Sequence, residues 1–314
     1  MEGTMSDVHQ PLSAHITPDT TILPALRLWE IYLADQDRSP YTIKAFANDI
    51  QLLASYFPPD KTIGSIATSD LNHFLAWLQK GRGVPCSPKS LARRITSIKS
   101  FFRWLHQNGV ATIDPAEKVI QQSVISPLPE VLTAQEEEQV LLAAQSYRTQ
   151  DKPDARPYTL AALLLATGIK KGECLSIALN HIDLESPDAP YLFIRYTSPQ
   201  YRYKERKIPL PGEWVAAYRE YLAQYEPTDI VFPWSPRRLE YLLEEIGEKA
   251  GLGKKHLSFD MCRWTCALND KKSGMDNDQI RQKLGISKIQ WREINMKLNR
   301  LMDLTATPSL GEGG

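Results

Sequence analysis

Between Ser87-Pro88 and Asn108-Gly109 lies the segment that most constrains the fold of this chain. Leu91, Ile95, Ile98, Phe102 and Leu105 recur at a 3.6-residue period, so the segment reads as an amphipathic helix with one narrow stripe in a core. Proline in the first turn and glycine after the last are helix start and stop signals. Lys89, Arg93, Thr96, Lys99, Ser100 and Arg103 occupy the opposite side, without a carboxylate. The acid-free stretch is longer than the helix. Between Asp70 and Asp114 there are seven cations (Lys80, Arg82, Lys89, Arg93, Arg94, Lys99 and Arg103) and no Asp or Glu. Solvated helix faces usually mix both signs, so the pattern favours a surface that meets phosphates over an ordinary wet face.

Three further helices precede this one. Leu28, Ile31 and Tyr32 begin an apolar pattern that Ser39-Pro40 interrupts; Ile43, Phe46, Ile50, Leu53 and Phe57 continue it in a second helix. Ser69 or Asp70 is placed to cap a third over 71–79. Trp29, Trp77 and Trp104 read as core or core-edge residues. We divide the chain into a disordered tail at 1–20, a helical domain at 21–110, a linker at 111–130, a second domain at 131–302 and a loose tail at 303–314. The first tail has three acids and no Lys or Arg, and Asp114-Pro115 and Ser126-Pro127-Leu128-Pro129 break any helix in the linker.

In the second domain Thr133-x-x-Glu136 is a capping box opening a helix. The apolar run 160–166 reads as a buried helix, and it is too short to span a bilayer. Strands are expected around Ile182, at 191–194 and at 206–210. Helices follow at 213–225, 237–250, 261–273 and 277–284, with a last periodic segment at 288–301. The fold class is therefore mainly α with a small β-sheet.

The chain has 37 Lys and Arg against 37 Asp and Glu, so any basic character is local. No secretory signal or membrane span is visible, and four dispersed cysteines form no disulfide framework, which fits a reducing cytoplasm. Cys262-x-x-x-Cys266 reads as two core thiols rather than a metal site. No metal or cofactor is expected.

Three short segments carry chemistry. Thr167-Gly168-Ile169-Lys170-Lys171-Gly172-Glu173-Cys174-Leu175 resembles the T-G-[L/I]-R-x-x-E-L motif of tyrosine site-specific recombinases of the Xer and phage-integrase type. Cys262-Arg263-Trp264-Thr265 resembles the core of their H-x-L-R-H-T motif, and Leu284-Gly285-Ile286 their L-G-H motif. Ser90-Leu91-Ala92-Arg93-Arg94-Ile95 through Phe101-Phe102-Arg103-Trp104-Leu105 resembles their N-terminal core-binding domain. The resemblance covers about 22–301. It implies a helical core-binding domain, followed by an α+β catalytic-like domain, together clasping duplex DNA.

The same resemblance assigns the site position by position. The first arginine is replaced by Lys170, which keeps charge but not a bidentate fork. Glu173 keeps the buttressing acid. Lys204-x-Arg206 matches the end of the hairpin pattern, whose lysine position is Tyr201. Asp260 stands where the first histidine is implied, with His256 four residues upstream. Arg263 is retained, and Trp264 follows it. Ile286 stands for the L-G-H histidine. The nucleophilic tyrosine, about nine residues further on, corresponds to Asn295, and no tyrosine follows Tyr241. Without a nucleophile the covalent route is closed.

The expected reading is thus a DNA-binding recombinase relative that does not cut strands. Its expected contacts are Lys80, Arg82, Lys89, Arg93, Lys99 and Arg103 in the first domain, Arg202, Lys204 and Arg206 on the hairpin, and Arg263. The hairpin tip, with Tyr196, Tyr201 and Tyr203 among those cations, suits either DNA or solvent. An active enzyme with relocated residues and a protein-interaction scaffold remain as alternatives. Trp291, Ile294, Leu298 and Leu301 form a C-terminal stripe that docks on a second copy or an active recombinase, or packs within the chain.

Overall fold

The computed structural model describes residues 15–120, 127–186 and 189–306. The chain forms two compact units, one up to Ser126 and one from Pro127.

The first unit contains α1 (Ile22–Asp35), α2 (Pro40–Tyr56), α3 (Thr68–Ala76) and α4 (Pro88–Gln107). Serine hydroxyls cap the two proline-led helices: Ser39 Oγ accepts from the Thr42 N–H at 3.1 Å, and Ser87 Oγ from the Ser90 N–H at 3.3 Å. The third helix starts earlier than expected. Asp70 is not its cap but sits within its first turn, accepting from the Ala67 N–H at 3.0 Å. All five stripe residues of α4 are buried, and so are Ser97, Phe101 and Trp104. The core face is wider than the periodicity showed because α1 and α2 both pack on it. Trp29 lies edge-on to Phe101 at 5.2 Å, and Tyr32 is tilted against Trp104 at 5.9 Å. Asp49 of α2 is buried between them, accepting from Arg93 Nη1 at 2.6 Å and Ser97 Oγ at 2.8 Å.

Two expected boundaries move. Residues 15–20, placed in the disordered tail, are anchored: Ile16 is buried, and the N–H groups of Ile63 and Gly64 donate to the carbonyls of Thr20 and Pro18. The rest of that tail, 1–14, lies outside the described residues. The start of the linker is also packed down, with Ala116 and Val119 buried in the same core.

The second unit opens with α5 (Ala134–Ser146), where the capping box forms in both directions: the Glu136 N–H to Thr133 Oγ1 at 3.2 Å, and the Thr133 N–H to Glu136 Oε2 at 2.8 Å. Then come α6 (Arg156–Thr167), α7 (Lys171–Leu175), β1 (Ile182–Asp183), β2 (Tyr191–Ile194) and β3 (Arg206–Pro209). The strands form an antiparallel sheet in the order β1-β2-β3, with Leu192 opposite both Ile182 and Ile208. A 3₁₀ segment, Pro199–Lys204, fills the β2–β3 connection. The chain ends in α8 (Gly212–Tyr225), α9 (Pro236–Lys249), α10 (Phe259–Lys272), α11 (Asn277–Lys283) and α12 (Lys288–Ala306). The last helix extends beyond the periodic segment that ends at Leu301, taking in 303–306; residues 307–314 lie outside the described part.

Two cores organise this unit. The larger joins α5, α6, α8 and α9 to the sheet, and the smaller joins α10, α11 and α12 around Leu268, Ile280, Leu284 and Leu298. Leu298 and Leu301 are buried and Trp291 and Ile294 half-buried, so the C-terminal stripe packs within the chain. Among the described residues no helix is long and apolar enough to cross a membrane.

Candidate functional site

The three motif segments converge on one turn. Helix α11 ends at Lys283, and Gly285 follows in the left-handed region at φ 58°. The four successive carbonyls of this turn each accept from a different cation. Arg206 Nε donates to Lys283 O at 2.6 Å, and Arg263 Nη2 to Leu284 O at 2.7 Å. Lys170 Nζ donates to Gly285 O at 3.3 Å, and Arg281 Nη1 to Ile286 O at 3.1 Å. The last carbonyls of a helix carry partial negative charge, which is why cations settle there. Arg263 also donates to Gly168 O. Gly168 too is left-handed, at φ 60°, and a Cβ there would lie 3.1 Å from both Cys266 Sγ and Leu284 Cδ2.

Beneath the turn Glu173 and Arg206 form a buried pair. The Arg206 side chain is 8% exposed and that of Glu173 4%. Arg206 reaches both carboxylate oxygens, at 3.0 and 2.9 Å, and the Lys170 N–H donates to Oε2 at 2.9 Å. The Tyr196 hydroxyl donates to the other oxygen. Burial alone would raise the Glu173 carboxyl, but the hydrogen bonds and charge of Arg206, with those two further donors, outweigh it and hold it at about 2. Burial pulls the Lys170 ammonium down to about 8; Glu173 opposes the shift, while Arg263, Lys204 and Arg206 add to it. Burial also lowers the Arg263 guanidinium.

The remaining motif positions differ in burial and direction. Ile286 is buried, and Asp260 is exposed in the first turn of α10. Tyr201 is 36% exposed on the 3₁₀ segment, with Lys204 Nζ 4.4 Å from its ring centroid. Asn295 faces α10, its Oδ1 accepting from Lys271 Nζ at 2.7 Å. A cavity of about 340 Å³ lies beside the turn, lined by Lys170, Asp260, Arg263, Trp264, Ile286 and Ile294 among others. Thus the site gathers Lys170, Glu173, Asp260, Arg263 and Ile286 but turns Asn295 elsewhere.

The expected DNA contacts divide in a similar way. Lys80, Arg82, Lys89 and Arg103 are exposed. Arg93 is exposed but tied to Asp49, and half-buried Lys99 leans on Glu117 O at 3.4 Å. Of the three hairpin cations expected to meet DNA, Arg202 is exposed, while Lys204 is half-buried and folds over Tyr201 and Tyr203. Arg206 faces inward, because Glu173 and Lys283 O take its donors. The sequence reading missed Tyr196 and Arg281 as parts of this site, and only the glycine after Leu284 signalled the turn. Cys262 and Cys266 are core thiols, pushed up to about 12 mainly by burial. Among the described residues no cluster of three or more His, Cys, Asp or Glu could hold a metal.

A helical N-terminal unit, a small three-stranded sheet and three motifs joined at one glycine turn define the recombinase-integrase class. Residues 26–109 match the phage integrase N-terminal SAM-like domain and residues 130–296 match the phage integrase family. The chain belongs to the phage integrase family of tyrosine recombinases. It is 24% identical over 283 residues to tyrosine recombinase XerD of Listeria innocua, covering 86% of this chain and 92% of that protein. It is 27% identical over 270 residues to tyrosine recombinase XerC of Corynebacterium efficiens, covering 82% and 81%. A lambda integrase dimer bound to a COC' core site shares the fold at TM-score 0.70 and 16% identity, covering 98% of this chain and 85% of that one. So does XerH bound to a difH substrate, a pre-cleavage complex, at TM-score 0.65 and 17% identity, covering 90% and 84%.

Proposed function

We infer that this protein is a DNA-binding member of its family that does not cleave strands, a pseudoenzyme that occupies sites or supports a cleaving partner. The observation that carries the reading is the state of the turn at 283–286. Arg206 and Arg263 are drawn onto backbone carbonyls of the turn, and the nucleophile position, Asn295, accepts from Lys271. Transition-state stabilisation needs donors aimed at the reacting group. Four of the five N–H donors of Arg206 go to Glu173, Lys204 O and Lys283 O, and two of those of Arg263 go to Gly168 O and Leu284 O. Ile286 and Asp260 supply no donor in place of the two histidines of the family motif.

DNA binding is supported by Lys80, Arg82, Lys89 and Arg103, exposed cations in a stretch without carboxylates. The lambda integrase and XerH structures of this fold hold DNA, and we extend that partner to this chain. Residues 21–110 form the DNA-clasping domain of this reading and 131–302 the catalytic-like one. A second copy, or an active recombinase, is the protein partner, through the exposed side of α12 at Ile289, Met296 and Leu304.

The test pairs two assays. Fluorescence anisotropy with labelled duplex, at several salt concentrations, compares the natural chain with Lys89→Glu/Arg103→Glu. Each phosphate contact adds about 0.9 to the slope of log affinity on log salt, so the variant is expected to bind more weakly with a slope lower by about 2. Absence of binding at low salt would overturn the DNA reading and leave the scaffold in front. A nicked suicide duplex that yields a covalent protein–DNA adduct would overturn the loss of cleavage.

A further inference from the structure

The cavity beside the turn has both charged and apolar walls. At about 340 Å³ it falls within the ~300–1,000 Å³ typical of small-molecule sites. Trp264, Leu284, Ile286 and Ile294 give it apolar walls. Lys170 presents an ammonium to it. That ammonium makes one hydrogen bond, to Gly285 O at 3.3 Å, and an ammonium has three donors. The nearby carboxylate, Glu173, is engaged by Arg206 and Tyr196 and does not pair with it. Burial lowers the affinity of Lys170 for its proton, with Arg263, Lys204 and Arg206 adding to the effect against Glu173. One anionic group in contact would relieve that cost.

The rim argues against a polyanion. Asp260 stands exposed there, and Glu293 is already paired with Lys297 at 2.8 Å. A DNA strand would bring neighbouring phosphates toward Asp260 and set hydrated oxygens against the apolar side chain of Ile286. A single carboxylate on a compact apolar body avoids both penalties.

We propose that this cavity binds a small amphiphilic monoanion, a flat apolar or aromatic body with one carboxylate, seated with the carboxylate on Lys170 and the body against Trp264, Ile286 and Ile294. This rests on the reading that the site no longer cleaves DNA.

The full chain is titrated calorimetrically with 1-naphthoate, with neutral 1-naphthamide and with inorganic phosphate. A charge-assisted contact in a part-buried site is worth about tenfold or more in affinity, so 1-naphthoate is expected to bind at least that much tighter than either control. Lys170→Gln is expected to reduce 1-naphthoate to the level of the amide. Lys170→Arg, which keeps the charge, is expected to stay within about threefold of the natural chain, and Ile286→Asn to weaken 1-naphthoate by about tenfold through the lost apolar wall. Far-ultraviolet circular dichroism and thermal melts confirm that each variant folds.

The proposal is overturned if phosphate binds as tightly as 1-naphthoate, if the amide does, or if Lys170→Gln changes nothing. The suicide-duplex assay separates this proposal from the one beneath it. A covalent adduct overturns both. No adduct, together with no preference for 1-naphthoate, overturns this one alone.

Discussion

Arg206→Met removes the cation that holds Glu173 in the interior and leaves the carboxylate with two donors, the Lys170 N–H and the Tyr196 hydroxyl. The size of the effect follows from proton affinity. The Glu173 carboxyl falls from 4.5 to about 2 in the folded chain. At about 1.4 kcal/mol for each tenfold change, the favourable environment is worth on the order of 3 kcal/mol near neutral pH. Both side chains are almost fully buried, so solvent screening takes little from this figure. It also agrees with the ~3–5 kcal/mol lost when one partner of a buried ion pair is deleted.

The pH dependence has a definite sign. A carboxyl whose folded value is depressed contributes stability that is complete above its unfolded value and is lost as pH falls through the folded one. Here that window runs from 4.5 down to about 2. Urea unfolding of the natural chain and of Arg206→Met, at pH 7 and pH 3, is the assay. We expect a gap of about 3 kcal/mol at pH 7, narrowed by about 2 kcal/mol at pH 3, where the unfolded carboxyl is already protonated. Glu173→Gln/Arg206→Met closes a double-mutant cycle and should show strong coupling. A gap below about 1 kcal/mol at pH 7, or one that does not change with pH, would refute the argument that Arg206 serves Glu173.

Gly285→Ala forces a Cβ to 2.5 Å from Arg206 Nη1 in a left-handed residue, so a loss of about 2 kcal/mol or more is expected in thermal melts, and an unchanged melting temperature would show that the turn relaxes freely. Ser87→Ala removes the cap of α4 and should cost about 1 kcal/mol in urea unfolding. Asn295→Tyr is expected to give no covalent adduct on a nicked suicide duplex in denaturing gels, because position 295 is turned to Lys271 and neither the hairpin lysine nor the L-G-H histidine of the family motifs stands at 201 or 286. A retarded, protease-sensitive band would contradict this.

What the sequence made legible was what neighbours decide. The stripe of α4, the Ser87 cap and the Thr133–Glu136 box each depend on residues within a turn or two of one another, and each formed where expected. The strands at 191–194 and 206–209 also followed from local pattern. Long-range pairing was hidden. A cation looks the same in a sequence whether it will meet phosphate or carboxylate. Arg206 was read as a hairpin contact, yet Glu173, 33 residues earlier, claims it. Arg93 carries the same lesson across 44 residues, since Asp49 comes from a different helix. Ile16 was assigned to a tail because its neighbours are polar, and only the tertiary core shows that it has a place.

Arg263 is likewise held by backbone partners far from it in sequence. Two of its donors go to Gly168 O and Leu284 O, one on each of the two glycine turns that its neighbours must pack around. Removing it would leave both carbonyls, in a half-buried environment, without that partner, and an unsatisfied acceptor costs about 1–3 kcal/mol. Arg206 stands in the same position toward Glu173 and Lys283 O. These cations are required by the fold whether or not a phosphate ever arrives. Their presence is therefore no sign of retained strand cleavage. Lys170 is the exception: its only side-chain hydrogen bond among the described residues is the long one to Gly285 O. The fold makes the least use of that charge, and it faces a cavity whose apolar walls are Trp264, Leu284, Ile286 and Ile294. Any remaining ligand chemistry in the C-terminal unit should accordingly depend on Lys170 far more than on the arginines that the family motifs bring to attention first.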